Sequence, residues 1–423
     1  MLSADMNELL TRVMPGRRMG DLMRRYWLPA VLSEEVDAPD GAPVRVRLLG
    51  EDLVAFRDTA GAVGLVDAYC PHRRAPMFFA RNEECGLRCV YHGWKFDAAG
   101  NCVDMPSEPP DSIFKSKINI TAYPTYEAGG IVWAYMGPRA EMPPFPAYEW
   151  LRAPDTHRRV SKTLEHANFL QALEGGIDTA HSSFVHNNDL SNAGRLKSMN
   201  THPKLEVEPT GYGFRYAGIR NIGDGVSYVR AYQYFLPAMQ MRAAFLDHQG
   251  NPRSMPTLRG HIWVPVDDEW TMVYNWVCAA DADHPISDEM WDKHEKAAGR
   301  GKDDYIPGSY RLVRNLDNDY LVDRELQRTK TYTGITGLNT QDYAVQEGMG
   351  PICDRSQEHL GTSDKAIIVA RRMLRQAVDD IAEGRQPAGT DIEELRQVRP
   401  AEAIVEGALP WQEAMKDMLQ AQW

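Results

Sequence analysis

Two short segments restrict this chain more than anything else in it: Cys70-Pro71-His72 and, after a gap of sixteen residues, Cys89-Val90-Tyr91-His92-Gly93-Trp94. Each supplies one thiol and one imidazole, so whatever the chain folds into must carry two loops to one point. Structural zinc sites usually group like ligands, Cys with Cys and His with His, whereas here the two types alternate twice. A cluster of two irons and two sulfides, with two thiolates on one iron and two neutral imidazoles on the other, uses this set of four. Cys70, His72, Cys89 and His92 are therefore read as the ligands of one [2Fe-2S] cluster.

A chain of 423 residues has room for two or three domains. The formal charge of −12 argues against a nucleic-acid or anionic-membrane surface, because no basic stripe offsets phosphate repulsion. Met1 to Leu10 carries Asp5 and Glu8 and lacks a basic start followed by an apolar core, so no signal peptide is read there. No apolar run approaches the roughly 20 residues of a membrane helix. The four remaining cysteines, Cys85, Cys102, Cys278 and Cys353, are read as reduced thiols and the compartment as the cytoplasm.

Asn7 to Tyr26 has helical periodicity across a Pro15-Gly16 break, and residues 1–43 are read as a helical arm. From Val44 the period becomes two, with Val44, Val46 and Leu48 alternating with Arg45 and Arg47. Short strands with turns make residues 44–146 a small β domain that carries the [2Fe-2S] ligands, its second ligand pair at a hairpin tip. Gly93 either lets the backbone pass close to the cluster or is an ordinary turn glycine. Met142-Pro143-Pro144-Phe145-Pro146 reads as a linker. Residues 147–423 then show a helix over Leu164 to Phe184, six strands between Lys204 and Cys278, and helices over Ser309 to Gln327 and Asp364 to Ala382. The fold class is α+β, a β domain followed by an antiparallel sheet surrounded by helices.

The first helix after the linker holds Glu174, Asp178, His181 and His186. At about 100° per residue the first three share one face, while His186 lies about 140° from His181, so both histidines reach one metal only if the helix bends or unwinds. Two histidines and a carboxylate with open positions suit a non-haem Fe(II) site. Helix geometry alone selects Asp178 as that carboxylate. Asn168, upstream, is either a pocket residue or a buried structural amide.

Cys70-x-His72…Cys89-x-x-His92 followed by Asp178-x-x-His181-x-x-x-x-His186 resembles the α subunit of Rieske non-haem iron oxygenases over nearly the whole chain. Gly361-Thr362-Ser363-Asp364 and the residues around Cys89 resemble the phthalate dioxygenase branch in particular. The resemblance implies one Rieske cluster and one mononuclear Fe(II) per chain, with O2 as co-substrate. It implies His181, His186 and Asp354 as iron ligands. Asp178 becomes the carboxylate that bridges to a Rieske histidine of a neighbouring subunit. It further implies a homotrimer or a stacked pair of trimers.

No G-x-G-x-x-G opens a βαβ unit, so NADH and flavin are expected only on a separate reductase. The expected reaction is mono- or cis-dihydroxylation of an aromatic carboxylate. O- or N-demethylation of a substituted aromatic is the alternative on the same scaffold. A plain Rieske electron carrier is the alternative from another class, although it would leave some 280 residues without a role. A carboxylated substrate needs a cation, for which Arg215 and Arg242 are the favoured candidates on the sheet, over Arg220 and Arg230. Tyr232, Phe235 and Met239 are candidate apolar walls.

Overall fold

The computed structural model describes residues 1–390, 392–407 and 409–423. The chain divides into two compact units, Val13–Phe145, and Met1–Arg12 together with Pro146–Trp423. The expected arm over residues 1–43 is not a body of its own. Helix α1 (Ala4–Thr11) belongs to the larger unit, while α2 (Arg18–Met23) and β1 (Trp27–Leu32) belong to the smaller.

The smaller unit is built from three antiparallel sheets. The first contains β1. The second joins β2 (Val44–Leu48), β3 (Glu51–Arg57) and β4 (Val63–Asp67). The third is a four-stranded meander of β5 (Arg81–Asn82), β6 (Leu87–Arg88), β7 (Lys95–Phe96) and β8 (Cys102–Asp104). β9 (Thr125–Ala128) and β10 (Ile131–Tyr135) complete the first, with β10 between β1 and β9. Alternation is the cause where it is visible: Val46 and Leu48 are buried while Arg45 and Arg47 face solvent. A core of Val54, Phe56, Val66, Met77, Leu87 and Phe96 lies against the two cysteine loops.

In the larger unit, α3 (Glu149–Arg152) precedes β11 (Arg158–Glu165), the edge of an eight-stranded antiparallel sheet. Next come α4 (Phe169–Ile177) and α5 (Leu196–Met199). The sheet continues with β12 (Lys204–Pro209), β13 (Gly213–Gly223), β14 (Val226–Phe235), β15 (Met239–Leu246), β16 (Pro252–Pro265) and β17 (Thr271–Ala279). Helices α6 (Asp288–Ala298), α7 (Arg324–Thr329), α8 (Leu338–Gly348) and α9 (Lys365–Ala382) follow, and β18 (Ala401–Glu406) adds to β14. The strand order is β11-β17-β16-β15-β14-β13-β12.

The helix expected over Leu164 to Phe184 is shorter, because β11 runs to Glu165 and α4 stops at Ile177. Ser309 to Gln327 is not one helix. The Asn315 side chain accepts from the Asp317 N–H, and Asp319, Tyr320 and Leu321 adopt positive φ, so the chain turns there and only Arg324–Thr329 is α-helical. In α9, Ile367, Leu374 and Val378 face inward as their spacing requires, while Ile368 is exposed.

Candidate functional site: two metal centres and a cationic cavity

In the smaller unit Cys70 leaves β4 in a tight loop, its N–H bonded to the Ala75 carbonyl and its own carbonyl taking the Arg74 N–H, both at 2.9 Å. The second loop joins β6 to β7, with Cys89 N–H on the Trp94 carbonyl at 2.8 Å and Gly93 N–H on the Cys89 carbonyl at 3.0 Å. Gly93 has φ +77°, and a Cβ there would stand 2.7 Å from Pro106, so the glycine serves both the turn and a close approach. Cys70 and Cys89 are buried side by side, and burial pushes the Cys70 thiol up to about 12 with Cys89 adding to the rise. Two thiolates cannot persist in such surroundings without a cation between them.

The imidazoles of His72 and His92 lie 4.4 Å apart, and both Nδ1 atoms are buried without a hydrogen-bond partner. Trp94 stacks on His72 at 4.3 Å and is held by its Nε1–H on Ser107 Oγ. Two adjacent thiols and two orphaned ring nitrogens fit a two-iron cluster.

In the larger unit Asn168 caps α4, and the paired glycines at its other end let it pack closely: a Cβ on Gly176 would lie 2.0 Å from the Trp263 ring. The helix stops at Asp178 because the Oδ1 of that residue accepts the Ala180 N–H at 2.7 Å, replacing the next helical turn. The chain unwinds before His181, which starts a short 3-10 turn, and this brings His186 round to it. Their Nε2 atoms are 3.2 Å apart, and Asp342 Oδ1 from α8 lies 3.2 Å from that of His186 and 3.6 Å from that of His181.

Donors bonded at about 2.1 Å to one ion and spread over one face stand roughly 3.0–3.5 Å apart, which these nearly match. Burial disfavours the charged form of Asp342, but His186 and His181 outweigh it and hold the carboxyl down to about 2. Burial likewise opposes protonation of His181, yet Asp178 and Asp342 together hold its pKa above the ordinary imidazole value. His181, His186 and Asp342, with side-chain exposures of 22%, 17% and 20%, line the adjoining cavity.

Asp354 is not among them. It is exposed, in the loop after α8, and its Oδ1 accepts from the Ser356 N–H and hydroxyl at 3.0 and 2.6 Å. Asp178 Oδ2 stands 3.4 Å from His181 Nδ1, beside the triad and outside it. Glu174 points away, to Arg355 and Arg371. Asn168 is buried and structural: it accepts the Leu170 N–H and donates to the carbonyls of Thr11 and Asp268 at 2.8 and 2.7 Å. Asn168→Ala is expected to lower stability by about 1–3 kcal/mol, read as a lower urea midpoint, with the KM for substrate unchanged.

A cavity of ≈520 Å³ opens beside His181, His186 and Asp342. Trp263, Val273 and Tyr232 give it apolar wall, while Phe235 and Met239 are not part of its lining. Its charged lining holds more basic side chains than carboxylates. Arg242 donates to Gln240 Oε1 at 3.3 Å and to His261 Nε2 at 2.9 Å, both neutral acceptors, and burial together with Arg230 lowers its pKa to about 10. Arg259, lowered to about 9 by burial, bonds Thr257 Oγ1, and burial drives Lys197 well below its ordinary value. Among the described residues no carboxylate lies within 4.0 Å of the charged groups of Arg242, Arg259 or Lys197. Arg230 by contrast faces Glu402 at 3.6 Å, and the buried Arg220 donates to the Thr179 carbonyl. Arg215 lies away from the cavity, ion-paired with Glu208.

Residues 26–126 match the family described as Rieske [2Fe-2S] domain, and residues 134–422 the one described as LigXa C-terminal domain like. The chain is 41% identical to the phthalate 4,5-dioxygenase oxygenase subunit of Pseudomonas putida, over 98% of this chain and 94% of that one. It is 38% identical to the 3-chlorobenzoate-3,4-dioxygenase oxygenase subunit of Comamonas testosteroni, over 91% of each. Among solved structures, the Pseudomonas putida CBB5 NdmA QL mutant with theobromine superposes with a TM-score of 0.62 at 18% identity, over 93% of this chain and 99% of that one, a likeness of fold.

Proposed function

Because the chain belongs to the Rieske non-haem iron oxygenases, as the oxygenase subunit, we propose that its substrate is an aromatic carboxylate held by Arg242 beside His181, His186 and Asp342. One observation carries the proposal. A guanidinium deep in the protein, fixed by two neutral acceptors and left without a carboxylate within ion-pair distance, shares a cavity with His181, His186 and Asp342. A buried cation without a counter-ion is costly, and an anionic ligand removes that cost. The phthalate and chlorobenzoate in the names of the two relatives are carboxylates of this kind.

The cluster would be held by Cys70, Cys89 and the Nδ1 atoms of His72 and His92. The mononuclear iron would be held by His181 Nε2, His186 Nε2 and Asp342. Bound there, the two groups supply one-electron transfer and the activation of dioxygen. The chain's own residues do the rest. The guanidinium of Arg242 presents a planar fork that fixes the carboxylate of the substrate and hence the ring. Trp263 and Val273 keep the ring side of the cavity apolar. Asp178 sits where its carboxylate can take the Nδ1 proton of His181 in a hydrogen bond and so fix that ring.

Electrons come from a separate partner, for which a flavin and iron–sulfur reductase is the proposed form. No helix among the described residues is long and apolar enough to cross a membrane.

A panel of phthalates, chlorobenzoates and uncharged analogues, assayed with a surrogate reductase, tests the substrate class. Carboxylates should stimulate NADH and O2 consumption with matching hydroxylated product. Equal turnover of neutral analogues would sink the proposal.

The proposed assembly is a homotrimer in which the cluster of one chain serves the iron of the next. Mixing His92→Ala chains with His181→Ala chains is then expected to restore activity that neither has alone. No recovery in mixed oligomers would refute transfer between chains.

A further inference from the structure

We infer that Gln341 is the positioning residue that locks His186 in the tautomer able to bind metal. Gln341 is buried on α8 immediately before Asp342, and its side chain makes three directional hydrogen bonds. Its Nε2 donates to the Ile335 carbonyl at 2.9 Å and to Asn188 Oδ1 at 2.7 Å. A backbone carbonyl can only accept, so the nitrogen end of the amide must face Ile335, and its orientation is decided by chemistry. Oε1 is therefore the end that faces His186 Nδ1, at 3.0 Å. An amide oxygen can only accept, so Nδ1 carries the proton. The lone pair of the neutral ring is then on Nε2, the atom 3.2 Å from Asp342 Oδ1 and 3.2 Å from His181 Nε2.

A free neutral imidazole divides its proton between both nitrogens and turns about χ2. One amide holds the ring about χ2 and keeps a proton on Nδ1, so Nε2 is the nitrogen left to give up its proton to a metal. Asn188 joins the device to the segment just beyond His186, so the helix that supplies Asp342 and the segment that supplies His186 are tied through one side chain. His181 has no such lock. Its Nδ1 is buried without a hydrogen-bond partner, with Asp178 Oδ2 next to it at 3.4 Å. His186 is thus the ring held permanently and His181 the one whose outer nitrogen remains available to a carboxylate.

The inference rests on His186 being an iron ligand, and its test separates the two statements. Gln341→Met has the length of glutamine and no acceptor, whereas Gln341→Glu keeps an acceptor toward Nδ1. With the cluster intact and the mononuclear site emptied, Fe(II) titration of Gln341→Met is expected to give a Kd about 10- to 100-fold higher than wild type. Gln341→Glu is expected to stay within about threefold of wild type. Nitrogen-15 spectra of histidine-labelled protein should show His186 protonated at Nδ1 in wild type and divided between the tautomers in Gln341→Met. A wild-type Kd and an unchanged tautomer in Gln341→Met would overturn the role of Gln341. His186→Ala, titrated in parallel, reads the ligand assignment alone: tight Fe(II) binding there would overturn the site and not the tautomer measurement.

Discussion

Asp342→Ala protein is expected to contain about two irons per chain in place of about three, with the visible spectrum of the cluster intact and product formation at background, since the Rieske centre itself accounts for two. The change removes one of three donors whose mutual spacing of 3.2 to 3.6 Å fits a single ion, and it leaves two imidazoles to hold a metal on their own. Asp354→Ala should keep all three irons, because that carboxylate only closes a turn onto Ser356. Metal analysis of the two variants together decides between the two aspartates. Full iron occupancy in the Asp342 variant would exclude it as a ligand.

The second large effect concerns the substrate. Arg242→Gln keeps a hydrogen-bond donor and loses the charge. Breaking one side of a buried charge-assisted pair costs about 3–5 kcal/mol, so the KM for a carboxylated substrate should rise by roughly two to three and a half orders of magnitude. Arg242→Lys restores charge without the planar fork and should recover only part of that loss. With a pKa of about 10, Arg242 stays protonated at neutral pH, and binding of an anionic substrate should weaken as pH rises through that value. Steady-state kinetics on one carboxylated and one neutral substrate would show the loss confined to the first. Equal loss on both would mean that Arg242 only supports the wall. Arg215→Gln, outside the cavity, should leave both substrates unaffected.

The meeting of the two cysteine–histidine loops was legible because a Cys and a His recur together twice within 23 residues, a local pattern that needs no knowledge of tertiary contacts. The six strands between Lys204 and Cys278 were legible for a similar reason, since turn residues punctuate β-branched and aromatic runs. The carboxylate that stands with His181 and His186 was not. It lies on α8, whose inward face is polar: Thr340, Gln341, Gln346 and Glu347 are buried there, so no apolar stripe marks a helix. Glu347 takes the His166 N–H and the Tyr320 hydroxyl, and Gln341 bonds His186 and Asn188, which is why a polar face turns inward. The resemblance points to Asp354, twelve positions beyond the aspartate that the fold brings beside the two histidines.

β11 was hidden by its charges, because Arg158, Arg159 and Lys162 disguise a strand whose pairing with β17 fixes it by backbone bonds. The angular spacing called for a bend between His181 and His186, whereas the helix already ends at Asp178. The cause of that end, the Asp178 carboxylate bonding to backbone ahead of it, required coordinates.

The division of the chain has a consequence for the order in which its parts can be assembled during synthesis. Helix α1 packs within the larger unit, and Asn7 donates through its side chain to the carbonyl of Cys353, 346 positions away. At roughly 5–20 residues per second, the ribosome makes α1 some twenty to seventy seconds before the backbone it bonds to exists. In that interval the whole of Val13–Phe145 can emerge and fold as a loop tethered at both ends to an unfinished neighbour. The nascent chain therefore has an opportunity to acquire its iron–sulfur cluster before the dioxygen-activating half is complete.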